Sequence, residues 1–307
     1  MPDAADCSVV VIALAGGSAL EQCLAALATM HARCHVLLGE DRDAMRSLPD
    51  RYPGVRVSSL ATLTVPQRRE HGLRQATSEL VAILEDTSQP DAGWLAAVAA
   101  AFTDAATGAA SGPVSIDPAL PARAQALGCV EYARFHPRLF GRLALGGARP
   151  DGTRPVSRLP GNNLAYRRSA ILGVLQPGGA GLLESEAHAA LMARGLVLAL
   201  QPGMGVTYRA ADPRGLRLAT RFHHGRLYAG ARSAAWPMPR RMAWAGAAAL
   251  LLPGLLIARA LAAMLTAVRP RSWAAAAPWI CAMEASWAAG EATGYLAGGG
   301  HSLRQWR

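Results

Sequence analysis

Lysine is absent from this sequence, so all 31 basic side chains are arginines. Charged residues of both signs are scarce, at 17%, against about 25% in soluble proteins. Hydrophobic residues reach 51%, which excludes a disordered or fibrous chain and favours contact with a membrane. The net charge of +10 indicates an anionic partner, such as a phosphate-bearing ligand, a membrane surface or a nucleic acid.

Recognisable zinc, disulfide and nucleic-acid-binding patterns are also missing. The five cysteines are scattered and form no Cys-x-x-Cys pair, which indicates a reducing compartment. Acids occur at positions 3 and 6, where a signal peptide carries positive charge, so we expect no cleaved signal. The arginines are dispersed and lack aromatic interleaving, so we predict no nucleic-acid partner.

Up to about residue 240, short apolar runs alternate with polar stretches that carry arginine. Continuous apolar runs at 8–14 and 80–84 are typical of buried parallel strands. Helical spacing follows each of them, within 18–27 and 94–102. This order of elements predicts an α/β sheet with helices on both faces.

The C-terminal part of the chain is much more apolar. Residues 243–268 carry one charge, Arg259, and residues 273–297 carry two, Glu284 and Glu291. Each stretch exceeds the roughly 20 apolar residues that span a bilayer. We therefore predict a first domain at 1–238 and a C-terminal helical hairpin at 239–307, associated with a membrane.

Three placements of the hairpin stay open. A spanning hairpin puts Arg269 and Arg271 outside, against the positive-inside tendency. A re-entrant or interfacial hairpin avoids that conflict. A soluble hairpin packed on the first domain is the third arrangement.

Two acids, Glu85 and Asp86, directly follow the predicted strand at 80–84. Ligands of open parallel sheets bind beyond the carboxyl ends of the strands. A divalent cation with hard oxygen ligands, Mg²⁺ or Mn²⁺, would compensate the charge of the two acids and bridge them to a diphosphate. The local sequence is equally compatible with one acid capping the next turn and the other being solvated.

Four segments in sequence order resemble family-2 glycosyltransferases, over roughly residues 8–235. They are SVVVIALAGG at 8–17, REHGLRQATSELVAILED at 69–86 with Pro90 and Gly93-Trp94-Leu95 after it, GNNLAYRRSA at 161–170, and LESE at 183–186 before Gly195. They resemble, respectively, the nucleotide-binding opening, the core with its acidic metal motif, the GxNxAxRR segment and the element that carries the base.

The resemblance implies a GT-A fold, which is a mixed α/β sheet that binds a nucleotide sugar. It implies inverting transfer of a sugar, with UDP-linked donors favoured, to a lipid-linked or glycan acceptor. A divalent metal, Mn²⁺ or Mg²⁺, would hold the leaving diphosphate. The implied setting is envelope or exopolysaccharide synthesis on the cytoplasmic face of the inner or plasma membrane.

Each site residue is carried over from the matching position of a motif. The resemblance implies that Glu184 is the catalytic base and that Asp86 and Glu85 are metal ligands. It places four residues at the nucleotide sugar: Ala15, Gly16, Asp41 and Arg69. It places Gly161, Asn162 and Asn163 in the donor and acceptor loop, and Glu186 and Arg226 on the diphosphate or acceptor side. We expect Asp86 and Glu184 to converge on one cleft.

The sequence departs from the family pattern at several points. Glu70 replaces the usual asparagine after the arginine, Thr87 replaces the usual third acid, and the first loop lacks its asparagine. These departures leave an alternative, in which the chain is a catalytically decayed nucleotide-binding or scaffold subunit with the same fold.

Overall fold

A computed structural model describes residues 7–39, 42–176, 179–210, 218–267 and 273–306. The chain divides into two compact units. The first comprises Met1–Ser115 and Phe135–Ala210, and the second comprises Ile116–Arg134 and Ala211–Arg307. This division differs from the one predicted at residue 238, because residues on both sides of that point share the second unit.

The first unit contains a large mixed sheet. The strands of the chain are β1 (Cys7–Ile12), β2 (Arg33–Leu38), β3 (Val55–Ser59), β4 (Leu80–Glu85), β5 (Ser88–Pro90), β6 (Thr107–Ser111), β7 (Val114–Ile116), β8 (Arg154–Val156), β9 (Asn163–Arg167), β10 (Val197–Leu200) and β11 (Val206–Tyr208). Eight of them form one sheet in the order β3-β2-β1-β4-β9-β6-β10-β8, and β5, β11 and β7 form a second.

The apolar runs predicted as strands lie at the centre of the large sheet. β1 pairs in parallel with β2 and with β4, whereas β4 pairs antiparallel with β9. Every residue of β4 is buried, as the unbroken apolar run at 80–84 predicts for all but its last residue, Glu85. The carboxyl ends of β1 and β4 therefore lie side by side, with the acids Glu85 and Asp86 at that edge.

Helices connect the strands and confirm the predicted α/β class. They are α1 (Gly17–Thr29), α2 (Arg42–Arg51), α3 (Val65–Gln75), α4 (Trp94–Ala101), α5 (Ala122–Tyr132), α6 (Pro137–Phe140), α7 (Arg168–Val174), α8 (Glu184–Ala193), α9 (Leu218–Arg232), α10 (Met238–Leu250), α11 (Leu252–Ala267) and α12 (Trp273–Ala297). α3 begins at Val65, and the side chain of Gln67 accepts from the backbone N–H of the preceding Thr64 at 3.0 Å, which stabilises this end of the helix.

The second unit is a helical bundle in which α12 packs on α5, α9, α10 and α11. Glycines let α12 and α9 approach backbone to backbone. A Cβ atom on Gly290 would lie 2.0 Å from the carbonyl oxygen of Phe222, and one on Gly225 would lie 2.2 Å from that of Trp287. The close approach explains why helices 218–232 and 273–297 belong to one unit.

The first arm of the predicted hairpin is two helices rather than one. α10 and α11 meet at a break at residue 251 and are bent by 49°. Pro253 lies in the first turn of α11, where its missing N–H is tolerated. By length and composition the bent pair together could cross a bilayer, whereas no single helix of the described residues could. The predicted positions Arg269 and Arg271 lie outside the described residues.

Glu284, one of the charges inside the predicted apolar stretches, has an arginine partner within the second unit. Arg221 is buried, contacts Glu131 and donates to Glu284 at 3.2 Å, with its guanidinium 4.5 Å from the ring centroid of Trp287. Arg259 and Glu284 line one cavity of about 30 Å³. These contacts reduce the cost of burying charge among apolar helices.

Candidate active site

Arg69 lies between two carboxylates that come from distant parts of the sequence. Nη2 of Arg69 donates to Oε1 of Glu85 at 2.6 Å, and Nη1 donates to Oε1 of Glu184. The side chain of Arg69 is 1% exposed, that of Glu85 10% and that of Glu184 18%. α3, the end of β4 and the first residue of α8 thus bring together residues from two of the four resembling segments, Arg69 and Glu85 from 69–86 and Glu184 from 183–186.

The loop before β9 reaches the same cluster through Gly161. Its carbonyl oxygen accepts from Nη2 of Arg69 at 3.4 Å. A Cβ atom on Gly161 would lie only 2.6 Å from Oε1 of Glu184, so a larger residue would displace that carboxylate. Glycine at this position leaves room for the Arg69–Glu184 contact.

Asp86 faces the loop after β1 instead of this cluster. Its carboxylate accepts from the backbone N–H groups of Leu14 at 2.9 Å, Ala15 at 3.1 Å and Gly16 at 2.6 Å. Burial raises the pKa of Asp86, and these N–H donors oppose that shift. The acid joined to Glu184 through Arg69 is Glu85, and the convergence of Asp86 and Glu184 on one cleft stays a prediction.

Asp86 also accepts from the backbone of Ala15 and Gly16, the two residues predicted to contact the nucleotide. Both N–H groups already donate to Asp86, so they satisfy an acid of the chain itself. Gly16 has φ +66° and precedes the first residue of α1. A glycine suits this left-handed conformation, which aims successive N–H groups at one anion.

The acids predicted to hold a metal do not fit a divalent ion as they stand. Mg²⁺ and Mn²⁺ need carboxylate oxygens with free lone pairs in a near-octahedral set. Glu85 is paired with Arg69, and both oxygens of Asp86 accept N–H groups. Across the described ranges, no group of three His, Cys, Asp or Glu side chains is placed to hold a metal ion.

The two asparagines of the predicted donor and acceptor loop are fully buried. Asn163 donates to the carbonyl of Met204 at 2.7 Å and accepts from the indole of Trp94 at 3.0 Å. Asn162 donates to Ser88 at 2.8 Å, and its Oδ1 has no hydrogen-bond partner within the part of the chain that the structure describes. These hydrogen bonds hold the chain that directly follows Gly161 in place.

Three predicted site residues remain: Asp41, Glu186 and Arg226. Asp41 falls outside the described residues. Glu186 is exposed in the first turn of α8. Arg226 belongs to the second unit, where its Nε donates to the carbonyl of Gly298 at 2.9 Å. Their roles stay predictions.

A buried pair beside Glu184 was not predicted from the sequence motifs. The hydroxyl of Tyr166 on β9 and Nε2 of His188 on α8 are 3.0 Å apart. Burial lowers the pKa of His188 to about 4, so the imidazole is neutral near pH 7. Burial and the charge of Glu184 raise the pKa of Tyr166. The spacing of Glu184 and His188, four residues apart on one helix, was the available signal.

Comparison with known proteins gives similarity at the level of structure only. No protein-family model matches the chain, and no curated protein matches it. The crystal structure of S. aureus TarS 1–349 in complex with UDP-GlcNAc has a TM-score of 0.51 at 13% identity, covering 94% of this chain and 89% of TarS. The chain has a GT-A fold. This confirms the fold that the motifs implied.

Two further structures are similar to this GT-A chain. Another crystal structure of S. aureus TarS 1–349 has a TM-score of 0.47 at 14% identity, with 94% of this chain and 89% of that one covered. GalNAc-T7 with UDP, GalNAc and Mn²⁺ has a TM-score of 0.48 at 14% identity. That match covers 66% of this chain and 43% of GalNAc-T7, so the chain spans less than half of that protein's length.

Proposed function

We propose that this chain is an inverting glycosyltransferase in which Glu184 is the general base. The observation that carries the proposal is the contact of Glu184 with Arg69, beside Gly161, at the start of α8. Of the two acids that Arg69 contacts, Glu184 is the more exposed, at 18% against 10% for Glu85, so an acceptor hydroxyl has access to it. Carboxylates are favoured at a helix N-terminus.

The reaction we propose is a single displacement. The acceptor hydroxyl gives its proton to the carboxylate of Glu184 while its oxygen bonds to the anomeric carbon of the donor sugar. The bond from that carbon to the diphosphate oxygen breaks on the opposite side, and the nucleoside diphosphate leaves with the electron pair. Arg69 orients the base by holding one of its oxygens, which is the positioning that general base catalysis requires.

The donor we propose is a UDP-linked sugar, and the acceptor is a lipid-linked or glycan hydroxyl. The TarS structure with UDP-GlcNAc supports the choice of nucleotide, through the shared fold alone. The proposed displacement uses no Mn²⁺ or Mg²⁺, because Glu85 and Asp86 are engaged by N–H donors of the chain itself. The proposed pathway class remains envelope or exopolysaccharide synthesis.

The test is a screen of nucleotide sugars in which release of the nucleoside diphosphate is measured. We expect turnover with a UDP-sugar and a loss of about 10²–10⁴-fold in Glu184→Gln, which cannot take the proton. Glu21→Gln, a half-exposed acid on α1, is the control and should keep wild-type turnover. Turnover that survives in Glu184→Gln would exclude Glu184 as the base.

The second candidate is a nucleotide-binding scaffold with the same fold. It is favoured by the engagement of Glu85 and Asp86 in contacts within the chain. UDP binding by calorimetry without turnover on any donor would support this candidate over the transferase.

We also propose that the second unit attaches the enzyme to the cytoplasmic face of the membrane. Leucines flank the break between α10 and α11 and are highly exposed: Leu250 at 82%, Leu251 at 71% and Leu255 at 65%. Exposed apolar clusters of this kind indicate a membrane or partner surface. A lipid-borne acceptor and the enzyme would then share one surface.

Flotation of the full chain with anionic vesicles tests this attachment. We expect wild type to float and the triple variant Leu250→Gln/Leu251→Gln/Leu255→Gln to stay in the dense fraction. Leu145→Gln replaces another exposed leucine, 68% exposed in the first unit, and should float. A triple variant that floats like wild type would show that the break is not the anchor.

A further inference from the structure

We propose that the guanidinium of Arg69 is the resident cation of this site and neutralises Glu85, one of the two acids that a divalent metal was expected to bridge. The inference rests on the proposed function in one respect, that the site binds a nucleoside diphosphate. It predicts that the chain binds this ligand without a divalent cation.

The first support is that the two terminal nitrogens of Arg69 donate to two different carboxylates. One terminal nitrogen contacts Glu85 and the other contacts Glu184, so a single planar group bridges two carboxylates. A guanidinium keeps its positive charge at any pH that a protein tolerates, and its N–H donors point in fixed directions within one plane. The bridge is therefore a permanent, oriented positive charge between the two acids.

The second support is burial. Arg69 is 1% exposed, so almost no water is available to replace its two acids if a metal ion takes them. Displacement would leave a buried arginine without its counter-ions, which is strongly unfavourable. The carbonyl of Gly161, 3.4 Å from the same guanidinium, adds a neutral acceptor that holds it in place.

The third support is that the neighbouring acid offers no substitute site. Asp86 is 2% exposed and accepts three backbone N–H groups from the loop after β1. Binding a metal through Asp86 would remove those acceptors from Leu14, Ala15 and Gly16. Thr87 stands where the resemblance places a third acid, and it cannot supply a carboxylate.

The experiment measures Mn²⁺ uptake by the full chain, using the electron paramagnetic resonance signal of the free ion. We expect no stoichiometric uptake by wild type, and uptake at least about tenfold tighter by Arg69→Gln, which frees Glu85 and Glu184 as ligands. Arg167→Gln is the control, because Arg167 is a partly buried arginine of the first unit that donates to the carbonyl of Phe102 at 3.3 Å. It should bind no more Mn²⁺ than wild type.

A second measurement keeps the proposal testable if Arg69→Gln does not fold. Calorimetry with UDP on wild type should give the same Kd, within about twofold, in EDTA and in Mn²⁺. Stoichiometric Mn²⁺ uptake by wild type, or UDP binding that EDTA weakens by about tenfold or more, would overturn the proposal. If UDP binds under neither condition, the proposed function fails, and the wild-type Mn²⁺ titration still decides this inference.

Discussion

Gly161 leaves the space that the carboxylate of Glu184 occupies. A Cβ atom on Gly161 would lie 2.6 Å from Oε1 of Glu184 and 3.6 Å from Nη2 of Arg69. The only way to accept a methyl group here is to move the end of a flexible side chain. The side chain that would move is the one we propose as the base.

Gly161→Ala should therefore impair turnover far more than stability. A displacement of about 1 Å at a catalytic group costs on the order of 10²-fold in rate. We expect kcat/KM with a UDP-sugar to fall by about 10–10²-fold, while the melting temperature changes little. Gly146→Ala is the control, since a Cβ atom there would meet nothing within 4 Å. Equal turnover in both variants would contradict the proposed position of the base.

Asp86→Asn should lower the stability of the first unit. The carboxylate accepts from three successive N–H groups, and an amide would present its own donor to some of them. We expect a loss of about 1–3 kcal/mol in the free energy of unfolding, measured by urea denaturation. Asp50→Asn, at an exposed position on α2, should stay within about 0.5 kcal/mol of wild type. Full stability combined with lost Mn²⁺-dependent turnover would instead support the metal role predicted from the sequence.

The sequence predicts the central sheet well, because its signal is local. β1 and β4 are short, continuous apolar runs of the kind that form buried parallel strands, and they lie at the centre of the sheet. The start of α8 at Glu184 is likewise predicted by the acids in its first turn.

The roles of Glu85 and Asp86 could not be separated from the sequence. Consecutive residues at a strand end project to opposite sides, so the partners on each side decide what each acid does. The partner of Glu85 is Arg69, and the partners of Asp86 are backbone groups of residues 14–16. Neither contact leaves a local pattern. The set of helices that forms the second unit could not be predicted from local sequence either, because it includes α5, which packs on the distant helix α12.

Gly290→Ala should destabilise the second unit, where α12 meets α9. The new Cβ atom would lie 2.0 Å from the carbonyl oxygen of Phe222, which is backbone and cannot swing away. We expect a loss of roughly 1–3 kcal/mol from forced helix separation, read from thermal unfolding. Gly246→Ala, in α10 with nothing within 4 Å of its Cβ, should instead raise stability by up to about 1 kcal/mol. Two variants that shift stability in the same direction would refute the backbone contact.

His188 should make the stability of the first unit depend on pH below neutrality. Its pKa is about 4 in the fold, against about 6.5 in the unfolded chain. Between these values the unfolded chain binds more protons, so stability falls as the pH drops from 6.5 towards 4, by on the order of 3 kcal/mol in all. His188→Gln keeps an acceptor for the hydroxyl of Tyr166 but cannot titrate, so its free energy of unfolding should vary less over this range. His301→Gln, at an exposed histidine of the second unit, should keep the wild-type slope. An unchanged slope in His188→Gln would mean that another group carries the pH dependence.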